Sequence, residues 1–337
     1  MKKPILGITM GDAAGVGPEI IVKALATSEV YDISRPVVFG DLKIMERAVK
    51  IVGADLRCHA IQDPADGKYE RGTIDVVDLN NLPADLPFAK VDGRAGKAAY
   101  EYIEKACSFA MKKEIHAIVT APLNKEALNL GGVHFPGHTE ILGHLMGQKD
   151  FSMMLTSPKL RVIHATTHIA YRDVPQALTK ERIFKVIQLA QETLQLMGIE
   201  KPRIAVAGLN PHSGEHGLFG DEEETKIKPA IEEARAKGWD VSGPEPPDTV
   251  FHRAANLNEF DIVVVMYHDQ GHIPIKVLGF DSGVNVTVGL PCIRTSVDHG
   301  TAFPVAGTGK AKPDSMMESL RLGAQMAKVK FAKELAE

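Results

Sequence analysis

Asp261-Ile-Val-Val-Val-Met-Tyr-His268 decides the reading of the fold: a short β-branched run that ends at once in a histidine. Short, apolar and β-rich, it reads as a strand candidate. Similar runs stand at residues 5–10, 36–39, 74–79, 117–120, 152–155, 160–165 and 203–207. Longer amphipathic stretches at 18–26, 41–52, 96–113, 179–197, 222–237 and 313–335 alternate with them. One of these places Ile183, Val186, Ile187, Ala190, Leu194 and Met197 at helical spacing and stops at Gly198. The alternation predicts an α/β protein with a largely parallel sheet.

A chain of 337 residues with 44% hydrophobic content can build two domains. No composition break marks a boundary, and Gly243-Pro-Glu-Pro-Pro-Asp248 is too short for a linker and reads as a rigid surface loop. A net charge of −4 gives no general attraction to nucleic acid or an anionic membrane, so neither is expected as a partner. Cys58, Cys107 and Cys292 are isolated, which suggests no disulfide framework and fits a reducing cytoplasm. The apolar stretch at the N-terminus is too short for a signal peptide, and nothing approaches the roughly 18 apolar residues of a membrane span. A soluble, cytoplasmic protein is expected.

Thirteen histidines are many for this length, and three follow apolar runs directly. Leu160-Arg-Val-Ile-His-Ala-Thr-Thr-His168 closes one strand, Arg203-Ile-Ala-Val-Ala-Gly-Leu-Asn-Pro-His212 another, and His268 ends the opening run. Ligands of open parallel sheets bind beyond the carboxyl ends of strands, so these imidazoles are candidates for one metal site. Thr166, Thr167, Asn210, Ser213, Tyr267 and Asp269 stand beside them as groups able to orient a ring. Three imidazoles with an open position suit catalytic Zn²⁺, while Mn²⁺, Co²⁺ and Ni²⁺ also accept such donors. The long spacings match no compact metal motif, and singly each residue also reads as an ordinary hydrogen-bonded histidine. His59, His116, His144 and His164 read as structural, whereas His134 and His252 fit neither group.

Three further segments carry anion-binding chemistry. Thr9-Met-Gly-Asp-Ala-Ala-Gly-Val-Gly-Pro-Glu19 joins a strand to a helix and is either an anion site or only a tight turn. Phe135-Pro-Gly-His-Thr-Glu-Ile-Leu142 presents His138 and Thr139 at a helix start, where a simple cap is the alternative. The stretch from Arg294 to Gly309 is rich in donors and glycines and reads as a binding loop. Lys276, Asn285 and Arg294 could clamp a carboxylate or phosphate.

Together these motifs resemble the 4-hydroxythreonine-4-phosphate dehydrogenase family over nearly the whole chain. The resemblance rests on GDAAGVGPEI (11–20), TAPLNKEAL (120–128), FPGHTE (135–140), ATTH (165–168), GLNPHSGE (208–215), YHDQGHIPIK (267–276), GVNVTVGLP (283–291) and IRTSVDHGTAFPVAGTGKA (293–311), in that order. It implies an isocitrate/isopropylmalate dehydrogenase-like two-domain α/β/α fold. Residues 1–130 with 295–337 form the first expected domain, and 131–294 the second.

It also implies a homodimer with a shared active site in which His168, His212 and His268 bind a divalent metal (Zn, Mg, Mn, Co or Ni). Substrate positions fall on His138, Thr139, Lys276, Asn285 and Arg294. NAD is received by the loop carrying His299, Gly300, Thr301, Ala302 and Gly307. Lys276 and Asp269 are the candidates for moving the hydroxyl proton.

The family's vitamin B6 members favour other sequences in the first loop and after the first metal histidine. Here Gly11-Asp-Ala-Ala-Gly-Val-Gly-Pro18 and His168-Ile-Ala-Tyr-Arg172 look closer to the paralogous branch acting on D-threonate or D-erythronate 4-phosphate. The implied reaction is NAD-linked oxidation with decarboxylation, to a dihydroxyacetone-phosphate-type product of carbohydrate metabolism. The alternatives are oxidation of 4-phosphohydroxy-L-threonine in pyridoxal phosphate biosynthesis and, from another class, metal-dependent hydrolysis.

Overall fold

The computed structural model describes residues 2–279 and 282–336. The chain forms two compact units, Met1–Lys149 with Leu290–Glu337, and Asp150–Gly289. The first unit is thus built from both ends of the chain, and the second is a single insertion.

In the first unit the strands β1 (Ile5–Thr9), β2 (Arg35–Gly40), β3 (Arg57–Ile61), β4 (Thr73–Asp78), β5 (Ala117–Thr120) and β12 (Ile293–Val297) lie in the order β3-β4-β2-β1-β5-β12. Every neighbouring pair is parallel. All residues of β1, β5 and β12 are buried, although successive side chains point to opposite faces. Both faces are therefore covered, which is why these strands read as continuous apolar runs.

Local chemistry sets the helix limits. Asp41 accepts hydrogen bonds from the amides of Lys43 and Ile44 to open Leu42–Val52, and left-handed Gly53 closes it. The helix expected from residue 96 begins as Gly93–Met111, because the Asp92 side chain caps it earlier by accepting from Arg94 N. Residues 131–149 and 290–294, placed in the second domain by the sequence reading, cluster with the first unit, where the helix His138–Leu145 packs on Gly93–Met111.

The second unit holds β6 (Ser152–Thr156), β7 (Arg161–His164), β8 (Arg203–Ala207), β9 (Asp240–Glu245), β10 (Ile262–Val265) and β11 (Val284–Val288) in the order β11-β6-β7-β10-β8-β9. β7, β10, β8 and β9 run parallel, whereas β6 is antiparallel to both of its neighbours. A short turn at Ser157, whose backbone amide donates to Leu160 O, reverses the chain between β6 and β7 and leaves no room for a crossover helix. The core joins Met153, Leu155, Val162, Ala205, Val263 and Ile275.

Two expectations change here. The Pro-rich segment expected as a surface loop begins as strand β9, which tolerates Pro244 because it is the last strand in the order. The helix expected at 222–237 opens with a π-turn, Glu223–Ile227, before Lys228–Ala236. The buried Glu223 carboxylate reaches back to accept from the amides of Leu209 and Asn210. Among the described residues no helix is long and apolar enough to cross a membrane.

Candidate active site

The order β7-β10-β8 sets the carboxyl ends of three parallel strands side by side, and the segments carrying His168, His268 and His212 emerge there. Pairing continues past β7 as Ala165 N and Thr166 N donate to Val265 O and Met266 O. Gln270, buried and not singled out from sequence, ties the other two ends together. Its Oε1 accepts from Met266 N at 2.6 Å and its Nε2 donates to Gly208 O at 2.8 Å.

His268 opens the helix His268–Gly279, and its ring centroid lies 5.5 Å from that of His168. His268 Nδ1 donates to Asp269 Oδ1 at 2.7 Å, while Tyr171 Oη donates to Asp269 Oδ2 at 2.5 Å. These hydrogen bonds, Tyr171 first, hold the Asp269 carboxyl below its ordinary range. A carboxylate can only accept, so the proton of neutral His268 sits on Nδ1 and the lone pair on Nε2. A cavity of about 220 Å³ lies here, lined by Thr167, His168, Tyr171, Tyr267, His268 and Asp269.

Behind His268 lies an imidazole chain that sequence reasoning missed. His272 stacks on His268 with centroids 3.5 Å apart and planes at 10°. His272 Nδ1 lies 3.1 Å from His164 Nε2 and 3.0 Å from His268 O, and His164 Nδ1 lies 3.1 Å from Met153 O. Because Met153 O only accepts, His164 carries its proton on Nδ1, and its Nε2 accepts from His272. Burial, with the neighbouring His272, pushes His164 down to about 3 and keeps it neutral. The one available signal was helical spacing: His268, His272 and Lys276 recur at every fourth position on one face of the helix.

His212 is not brought to this pair. It sits exposed in Pro211–Gly217, where His212, Ser213, Glu215 and His216 all have left-handed φ between 44° and 59°, and its Nδ1 lies 3.3 Å from Glu215 Oε1. Among the described residues no group of three or more His, Cys, Asp or Glu side chains is arranged to hold a metal ion. His168 and His268, one of them oriented by a carboxylate, fit a divalent ion as donors but fall one ligand short within a single chain.

Lys276 and Asn285 are half-buried in the second unit, on His268–Gly279 and on β11. His138, Thr139 and Arg294 belong to the first unit. Arg294, on β12 and 2% exposed, donates through Nε and Nη2 to Thr120 Oγ1, and burial pushes it down to about 9. Burial and then the charge of Arg294 hold His138 well below the ordinary histidine range, and its Nε2 is shut off from solvent without a hydrogen-bond partner. A buried guanidinium beside a neutral imidazole is chemistry suited to an anion.

The loop with His299, Gly300, Thr301, Ala302 and Gly307 follows β12 and lies against the first glycine loop, where Val16 N donates to Thr301 O at 3.0 Å. That first loop is a tight turn. Its amides at Asp12, Ala14, Gly15 and Val16 are all engaged with protein acceptors, so these four do not cradle an anion.

Residues 32–323 match the protein family described as "Pyridoxal phosphate biosynthetic protein PdxA". The chain belongs to that family. Among PdxA-family relatives, it is 54% identical to a D-threonate 4-phosphate dehydrogenase of Cupriavidus necator, over 96% of this chain and 97% of the relative. It is 50% identical to a D-threonate 4-phosphate dehydrogenase of Pectobacterium atrosepticum, over 96% and 99%. The crystal structure of a 4-hydroxythreonine-4-phosphate dehydrogenase from Burkholderia phymatum superposes with a TM-score of 0.86 at 54% identity, covering 97% of this chain and 99% of that one. This PdxA-family protein is therefore a dehydrogenase, an oxidoreductase, with the isocitrate dehydrogenase-like α/β fold that its motifs implied. Metal-dependent hydrolysis is set aside.

Proposed function

We propose that the protein oxidises a 4-phosphorylated hydroxy acid, D-threonate 4-phosphate or D-erythronate 4-phosphate, with NAD⁺ and a divalent metal, and releases CO₂ and a dihydroxyacetone-phosphate-type product. The observation that carries this reading is the His168–His268–Asp269 arrangement beyond parallel strand ends, in a chain 54% identical to a D-threonate 4-phosphate dehydrogenase. The hydroxyl on the carbon β to the carboxylate is oxidised, because only a β-keto acid loses CO₂ readily. The electron pair of the broken carbon–carbon bond then goes to the α-carbon, which takes a proton. When bound, the metal supplies Lewis-acid polarisation and NAD⁺ accepts the hydride.

The chain's own groups divide the remaining work. Asp269 acts through His268: with both oxygens occupied, it fixes the ring so that Nε2 presents its lone pair. Lys276, two turns along the same helix, is assigned the hydroxyl proton. Arg294, His138 and Thr139 supply donors for an anionic group of the substrate, and Asn285 a further polar contact. The loop of His299, Gly300, Thr301, Ala302 and Gly307 receives the adenosine end of NAD⁺.

The working form is a homodimer in the cytoplasm whose two copies share the metal site. The separation of His212 from the His168–His268 pair supports this, as do exposed apolar side chains on the ligand-bearing segments. Ile169 is 43% exposed, Leu218 73%, Ile273 61% and Val277 80%. Hybrid dimers made pairwise from His168→Ala, His212→Ala and His268→Ala chains test it: a shared site regains activity in at least one hybrid, and an intramolecular site in none.

A second reading, oxidation of 4-phosphohydroxy-L-threonine, is favoured by the family description and by the Burkholderia phymatum structure. Initial rates of NADH formation on the three 4-phosphates, compared across divalent ions, separate the two. Higher kcat/KM on the threonate or erythronate ester supports the first reading, and higher kcat/KM on the amino acid ester replaces it.

A further inference from the structure

The helix Gly17–Leu25 carries two charged side chains that the reaction does not use, and both grip the glycine loop beyond Thr301. Glu19, 1% exposed, accepts from Gly307 N at 2.5 Å and from Gly309 N at 2.7 Å. One turn further on, Lys23 Nζ donates to Gly309 O at 2.6 Å and Ala311 O at 2.7 Å. A carboxylate thus takes the loop's amides while an ammonium takes its carbonyls, from neighbouring turns of one helix face.

The loop's sequence is shaped for this grip. Gly307 and Gly309 have φ of 78° and 69°, and that left-handed backbone lets both amides face one carboxylate. At Gly307 a Cβ would fall 2.6 Å from the Phe88 ring, so space as well as conformation demands glycine. Closer to the start of the loop, a Cβ on Gly15 would fall 2.8 Å from Thr301, which makes the first glycine loop a backing for the second.

We propose that Glu19, assisted by Lys23, is a positioning residue for the cofactor: it sets the 307–309 segment in its binding shape before NAD⁺ arrives. The proposal rests on the reading that the loop from His299 to Gly307 receives NAD⁺. A free glycine-rich loop would have to be ordered at the moment of binding, and that entropy would be subtracted from affinity. Anchored to a helix by four charge-assisted bonds, two at Glu19 and two at Lys23, it is ordered in advance. Glu19 itself touches no reacting group, so its loss falls on cofactor affinity and not on turnover.

The test uses the full-length protein, with NAD⁺ affinity measured by calorimetry and with KM for each substrate and kcat measured separately. Glu19→Ala removes both acceptors, and Glu19→Gln keeps the size and one acceptor oxygen. The expected result is a rise in the NAD⁺ dissociation constant of about tenfold or more for alanine and a smaller rise for glutamine. The expected kcat at saturating NAD⁺ and KM for the phosphorylated substrate stay within about twofold of wild type. Amide exchange at 303–311 in the cofactor-free protein is expected to speed up in the same order, a readout that the milder glutamine variant supplies if the alanine variant fails to fold. NAD⁺ affinity unchanged while exchange at 303–311 rises overturns the proposal, as does an equal loss of affinity for both substrates. If the wild-type protein itself binds no NAD⁺, the assignment of the loop falls first and this proposal with it.

Discussion

Asp269 Oδ1 stands 2.7 Å from His268 Nδ1, and this single contact fixes which imidazole nitrogen of neutral His268 carries the proton and which keeps its lone pair. With Tyr171 on its other oxygen, Asp269 is an orienting group first. Asp269→Asn should therefore weaken divalent-ion binding by about 10–100-fold with little change in melting temperature. Calorimetric titration of the metal-free variant with Mn²⁺ checks this, and an unchanged affinity would remove the orienting role.

His272 has a structural task that can be measured without any ligand. Replacing it by leucine leaves His164 Nε2 buried with no donor, at a cost of about 1–3 kcal/mol. Urea unfolding of His272→Leu should show that loss. Stability equal to wild type would mean that the His164–His272 contact contributes nothing.

Asp12 predicts a pH-dependent stability. Burial pushes its carboxyl up to about 6, although it accepts a hydrogen bond from Ala14 N. Between the ordinary carboxyl value and about 6 the folded protein holds a proton that the unfolded chain has released, so stability falls as pH rises through that window. Asp12→Asn keeps the acceptor for Ala14 and has no charge to bury. It should be more stable than wild type by about 1–3 kcal/mol at about pH 8 and equal near pH 4. Melting curves at both values decide, and a difference that does not vary with pH contradicts the prediction.

Arg294 separates binding from folding. The Arg294 guanidinium is buried beside the Thr120 hydroxyl, and the desolvation of its charge offsets much of what its hydrogen bonds contribute to stability, while the same donors make a strong anion ligand. Arg294→Met should keep the melting temperature within a few degrees while raising KM for the phosphorylated substrate by about 100-fold. A large drop in melting temperature with normal KM would reverse that assignment.

The strands whose burial covers both faces were legible because consecutive apolar residues carry that signal directly. The antiparallel β6 was not, since Ser152–Thr156 has the same pattern whichever way its neighbours run. The placement of His168 and His268 just beyond strand ends was legible, and those two strands are adjacent in the sheet. His164 read as an ordinary core residue, because its role depends on His272 arriving from a helix far along the chain. Gln270 and Glu19 were invisible for a related reason: both act on backbone groups, and backbone carries no sequence signal. The left-handed turn that carries His212 also escaped, since five successive positions, His212 to His216, have positive φ there and four of them are not glycine.

The central claim is that a divalent ion held by His168, His212 and His268 is needed for NAD⁺-linked oxidation of a 4-phosphorylated hydroxy acid. The most direct measurement is NADH formation from D-threonate 4-phosphate with bound metal counted on the same sample, for wild type and for His212→Ala. The prediction is activity in proportion to metal content, lost together with the metal on chelation and in the variant, and regained by the wild type alone when the ion is returned. Full turnover by metal-free protein, or by His212→Ala, would contradict it.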